Sequence, residues 1–236
     1  MVIIQHPQEP NDKEPGKSSG LITFGGRRDG GKGYLAQSQR VGPGVVLLHQ
    51  WYGLQPSFQR MADRLRDEGF TVLVPDLFDG FVAADDAEAE AKAAEVESDP
   101  EAVLRRVEGA ARFLTDNWHP RVGLIGHSFG AYFGAQLAQR FPLEAVVLYY
   151  GYAGIPDPGG WTAPVLVHLA ETDPFVEDED VVEVSTALDQ AGVEHEWHTY
   201  PGTGHSFANE DVAAYDQEAA ELAHERTVEF LHHHLA

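Results

Sequence analysis

Residues 122–130 read Val-Gly-Leu-Ile-Gly-His-Ser-Phe-Gly, and no other stretch limits the fold so sharply. A short apolar run ends in Gly126-His127-Ser128-Phe129-Gly130, and Ala131 to Arg140 reads as helix. The pattern is a strand, a sharp turn bearing one serine, and a helix. A serine at the tip of so tight a turn sits in a strained backbone conformation, with its neighbours crowded against strand and helix. Glycine at 126 and 130 removes the side chains that would clash. The turn holds the Ser128 hydroxyl exposed, and the helix N-terminus behind it favours negative charge.

The rest of the chain supplies the sheet this turn needs. Val45 to His49 is an unbroken apolar run, as expected of a buried parallel strand. A helix capped by Ser57 follows through Arg66, with Phe58, Met61 and Leu65 on one face. Phe70 to Val74 is the next strand. Residues 83–98, mostly Ala, Glu and Asp, read as a solvated helix that packs beside a loop or forms a partial lid. Asp99-Pro100-Glu101 opens a further helix with Pro at its first position. Strands at 145–150, 164–170 and 196–200 alternate with helices at 179–191 and about 211–233. This predicts an α/β fold with a mostly parallel central sheet and helices on both faces. Leu21 to Phe24 and Gly33 to Gln37 are expected as short strands. Residues 1–20 are expected as a flexible arm, because 5–19 are rich in Pro, Gly, Ser and charge. Residues 21–236 are expected as a single domain.

Several functions are excluded by composition. The 236 residues include no cysteine, so disulfides, thiolate metal sites and a cysteine nucleophile are absent. The formal net charge is -22, which repels nucleic acid and anionic membranes. It fits a soluble acidic protein or, more sharply, one adapted to high salt. The N-terminus shows no signal peptide and no run approaches a membrane span, so a cytoplasmic location is expected.

A serine hydroxyl needs a base to take its proton and a third group to orient that base. The strand at 164–170 runs into Glu171-Thr172-Asp173-Pro174-Phe175, which places Asp173 at the ligand-binding edge of the sheet. Glu171, Asp178 and Asp180 compete for the role, but Glu171 lies on the strand side and the other two read as helix-start residues. His205 lies in the glycine-rich loop Pro201-Gly202-Thr203-Gly204-His205. The order Ser128, Asp173, His205 is that of α/β-hydrolase triads. Oxyanion donors are expected at the backbone N–H of Phe129 and, from the loop after the strand at 45–49, of Trp51. His49 and His127 flank the site and are candidates to line it. His232, His233 and His234 do not form a designed metal site, and neither metal nor cofactor is required.

The chain resembles the dienelactone hydrolase family over most of its length. Gln50-Trp51-Tyr52-Gly53, Gly69-Phe70 through Pro75-Asp76-Leu77-Phe78, the turn at 126–130, Tyr149-Tyr150-Gly151, Asp173-Pro174-Phe175-Val176 and Gly204-His205-Ser206-Phe207-Ala208 fall in family order. The resemblance implies that Ser128, Asp173 and His205 form the triad. Well-known members carry cysteine where this chain has Ser128, and a priming glutamate where it has Gln50. They also carry substrate-binding arginines where it has Asn209 and in the region of Asp79-Gly80-Phe81. These departures imply a serine enzyme for a neutral, small-molecule ester or lactone. Gln50, Tyr52, Phe81, Tyr150, Tyr152, Phe175 and Asn209 are the candidate pocket residues. A thioesterase or peptidase-type acyl hydrolase with the same triad is the alternative, as is a non-catalytic binding protein on the same fold. Oligomeric state is not legible.

Overall fold

Strands covered on both faces need no polar side, and the four innermost runs have none. β3 (Gly44–Leu48), β4 (Thr71–Pro75), β5 (Val122–His127) and β6 (Ala145–Tyr149) are buried along their whole lengths. In the computed structural model, which describes residues 19–26, 29–40, 42–151 and 160–235, they form the middle of an eight-stranded sheet. With β1 (Ser19–Phe24), β2 (Gly31–Ala36), β7 (Val165–Thr172) and β8 (His195–Gly204), the order is β1-β2-β4-β3-β5-β6-β7-β8. The β1–β2 and β2–β4 pairs are antiparallel and the rest are parallel. The expected arm falls on residues 1–18, outside the described residues, but Ser19 and Gly20 already belong to β1.

Alternation along the strands feeds two cores. Val45 and Leu47 join Phe58, Ala62 and Leu65 of α1 (Pro56–Asp67) and Phe230 and Leu231 of α6 (Gln217–Leu235). Val46 and Leu48 face the other way, toward α3 (Pro100–Asn117) and α4 (Phe129–Ala138). α3 forms as its sequence predicts: Asp99 accepts the Ala102 N–H at 3.1 Å, Pro100 follows, and Val103, Val107 and Leu114 bury one face. α2 (Asp86–Glu97) buries only Ala89 and Ala93, while α5 (Asp178–Ala191) buries Leu188.

Two helix starts differ from expectation, for one reason. Ser57 does not cap α1. It sits within the first turn, and its N–H donates to Asp211 Oδ2 at 2.7 Å. Asp211 is therefore drawn to α1 and cannot open α6, which begins six residues later, where Asp216 accepts the Ala219 N–H at 2.9 Å.

β3 has β4 on one side and β5 on the other, so the chain reverses direction across the sheet at β3. A crevice opens beyond the carboxyl ends of the strands at such a point. The loops after β3, β5, β7 and β8 all reach it.

Candidate active site

Ser128 has φ 50° and ψ -111°, the strained conformation its flanking glycines predict. A Cβ on Gly126 would lie 2.6 Å from Gly130 O, and one on Gly130 would lie 2.6 Å from Leu48 O and 2.7 Å from His49 O. Both obstacles are backbone, so no side-chain movement relieves them. The turn is tied down by Ser128 N–H donating to Tyr149 O at 3.0 Å and by Ser128 O accepting from Ala131 and Tyr132.

The three residues expected to act together are brought together. Ser128 Oγ lies 2.9 Å from His205 Nε2, and His205 Nδ1 lies 2.8 Å from Asp173 Oδ2. β7 and β8 end immediately before Asp173 and His205, so two adjacent parallel strands fix their spacing. The side chain of Asp173 is only 3% exposed, and its Oδ1 accepts the Phe175 N–H at 3.0 Å. The competitors lie elsewhere. Glu171 is exposed and accepts the Gly202 N–H, while Asp178 and Asp180 occupy the first turn of α5.

A cavity of about 440 Å³ opens beside Ser128 and His205. Trp51, Phe129, Tyr150 and Phe175 line it, as expected. Tyr132 and Val176 complete the apolar wall, and the Ala/Glu helix α2 closes one side with Glu90, Ala93 and Glu97. The sequence reading missed Tyr132, although it lies one helical turn from Ser128. Four expected pocket residues, Gln50, Tyr52, Phe81 and Asn209, do not line the cavity. Tyr52 hydrogen-bonds Asp86 at the start of α2, and Phe81 lies beneath the Lys92 ammonium, 5.9 Å from its ring centre. Tyr152 lies outside the described residues.

Three histidines in or just after strands are fully buried. His49 and His127 are fully buried and do not line the site. His127 shares a 2.8 Å hydrogen bond with Tyr150 and stacks on Tyr149, and burial lowers its pKa to about 3. His49 accepts the Leu77 N–H and is likewise lowered by burial. His168 bridges Tyr200 and Thr227, and burial holds its pKa well below the usual range. Among the described residues no group of three or more His, Asp or Glu side chains is arranged to hold a metal. None of the helices described is long and apolar enough to cross a membrane.

The model of the dienelactone hydrolase family matches residues 32–235. The chain belongs to that family. As a dienelactone hydrolase family protein it has the α/β-hydrolase fold and is a carboxylic ester hydrolase of that type. It is 29% identical over 218 residues to Protein usf of Aquifex pyrophilus, covering 86% of this chain and 94% of that one. It is 26% identical to a carboxymethylenebutenolidase of Rhodococcus opacus, over 86% of each. A dienelactone hydrolase-like promiscuous phosphotriesterase from metagenomic libraries superposes with a TM-score of 0.81 at 23% identity, covering 92% of this chain and 98% of the other.

Against the family pattern, Gln50 and Asn209 are structural rather than cavity-lining. Gln50 is fully buried, and its Oε1 accepts from Ser206 Oγ at 3.1 Å. Asn209 donates to Gln55 Oε1 at 2.9 Å and accepts the Asp211 N–H at 3.0 Å. The amides therefore hold the His205 loop against the loop after β3.

Proposed function

We propose that this protein hydrolyses neutral carboxylic esters or lactones through an acyl-enzyme on Ser128. The observation that carries the reading is the chain of short hydrogen bonds from Ser128 through His205 to the buried Asp173. A carboxylate only accepts, so the His205 proton sits on Nδ1, and Nε2 presents its lone pair to the serine. As Ser128 Oγ bonds to the substrate carbonyl carbon, Nε2 takes the hydroxyl proton and the carbonyl π electrons move onto oxygen. The amides of Phe129 and Trp51 have no other acceptor among the described residues and are assigned to that oxyanion. Collapse breaks the ester C–O bond, and His205 returns the proton to the departing alkoxide. Water, deprotonated by the same nitrogen, then bonds to the acyl carbon; the acyl C–Oγ bond breaks, His205 returns the proton to Ser128 Oγ, and the acid leaves.

The cavity wall supports a substrate without negative charge, because no lysine or arginine lines it among the described residues. Residues 152–159, which follow the lining Gly151, contain none either. Ser128→Ala should lower turnover of an activated short-chain ester by at least about 1000-fold and abolish covalent labelling by a fluorophosphonate. Near wild-type turnover in this variant would refute the mechanism.

A further inference from the structure

The cavity's charge distribution is lopsided. Ser128 and His205 line the cavity, and α2 adds Glu90 and Glu97, two exposed carboxylates two helical turns apart on the face that carries Ala93 and Ala94. The one lysine of α2 is turned away: Lys92 pairs with Glu95 at 2.9 Å and covers Phe81. Aromatic side chains make up much of the remaining lining. Trp51 meets Phe175 edge to face at 5.9 Å between ring centres, and Phe175 in turn meets His205 at 4.8 Å. Tyr132 adds a third ring to the same wall. Aromatic faces attract cations, carboxylates add a longer-ranged attraction, and both disfavour anions.

We propose that the preferred substrates are esters bearing an ammonium group, protonated or quaternary, held between the aromatic wall and Glu90 and Glu97 while the ester carbonyl meets Ser128. The proposal rests on Ser128 as nucleophile and revises the substrate class of that reading from neutral to cationic, the reacting ester group itself remaining uncharged, with α2 as the specificity-determining wall. An apolar cavity alone would rank substrates by size. This one also ranks them by charge, and the cation needs no buried counter-ion because the carboxylates stand at the rim, in contact with water. Attraction there is screened by salt, since the Debye length is about 10 Å at 0.1 M.

The test compares three nitrophenyl esters of matched shape. One carries a trimethylammonium terminus, one the tert-butyl isostere, and one a terminal carboxylate of similar length. Each kcat/KM is divided by that ester's own hydroxide-catalysed rate, which removes inductive activation. A quaternary cation is used because its charge does not titrate. The ammonium ester should exceed the isostere by about tenfold, and the carboxylate should fall below it by a similar factor. In Glu90→Gln/Glu97→Gln the cation-to-isostere ratio should drop to about twofold, and in wild type it should shrink as salt is added. A wild-type ratio near one, or a ratio that survives the double substitution, overturns the proposal. Ser128→Ala separates the two levels. If it abolishes turnover while the ratio is near one, the hydrolase reading stands and the charge selection falls. If it retains turnover, the nucleophile assignment falls, and calorimetric titration of the ammonium ester and its isostere into that variant decides the cation preference directly.

Discussion

Thr227 offers a perturbation whose size follows from its surroundings. It lies on α6, 1% exposed, and its hydroxyl is shared by two buried groups, Tyr149 OH at 2.7 Å and His168 Nε2 at 3.0 Å. Thr227→Val keeps the shape of the side chain, so no cavity opens. It removes one hydroxyl and leaves two buried polar atoms without a partner. Each costs about 1–3 kcal/mol, while the added methyl returns about 1 kcal/mol of burial. The net loss is about 1–5 kcal/mol, which for a chain of this length lowers Tm by roughly 2–20 °C. Thr227→Ser keeps the hydroxyl and loses only the methyl, about 1 kcal/mol, so it should melt above the valine variant. Calorimetric melts of the two variants and wild type decide the matter. A valine variant that melts with wild type, or above the serine variant, would show that the hydroxyl bridge does not stabilise the fold.

Two further outcomes follow from the core and the turn. His127, His168, His49 and His224 all have pKa values lowered by burial, to about 3 for His127 and about 4 for His224. The unfolded chain therefore binds more protons than the fold below the ordinary value of 6.5, and stability present above that pH is lost as pH falls. Each buried neutral histidine contributes about 1.4 kcal/mol per pH unit between its two pKa values, so urea midpoints should drop steeply from pH 7.5 to 5.0. Equal midpoints would mean that the fold takes up these protons itself. Gly130→Ala should lower both Tm and ester turnover, because its Cβ meets the backbone oxygens of Leu48 and His49 and must push α4, with Ser128, off the sheet. Overpacking of this kind costs about 1–3 kcal/mol or more. Wild-type behaviour in both assays would show that the elbow yields at no cost.

The hydrogen-bonded group of Ser128, His205 and Asp173 was legible because each member directly follows a strand, and a parallel sheet delivers such positions to one edge. The expected strand ends at 170 and 200 fall short of the actual ends at Thr172 and Gly204, yet the chain order alone placed Asp173 and His205 on that edge. The pocket was harder. α2 carries two buried alanines and little apolar periodicity, so nothing in its sequence says which face meets the cavity. Tyr132 lies in a helix whose other residues are mostly buried, so nothing in the local sequence sets it apart as cavity-lining. Gln50 and Asn209 were expected at the substrate because their family counterparts are charged. Their actual partners, Ser206 and Gln55, lie more than 150 residues away along the chain in each case. Ser57 failed as a cap for the same reason: Asp211, 154 residues on, took the place its own hydroxyl was expected to fill.

Those long-range bonds have a mechanical consequence. Ser206 to Gln50, Asn209 to Gln55, and Asp211 to Ser57 and Arg60 rivet the segment carrying His205 to the segment carrying Trp51. The two move as one body, so a substrate that displaced one would carry the other with it, and their mutual spacing is set before anything binds. Helix α2, which buries just Ala89 and Ala93, is tied to that body at its start, where Tyr52 hydrogen-bonds Asp86, so the sequence of its later turns can vary without touching those bonds.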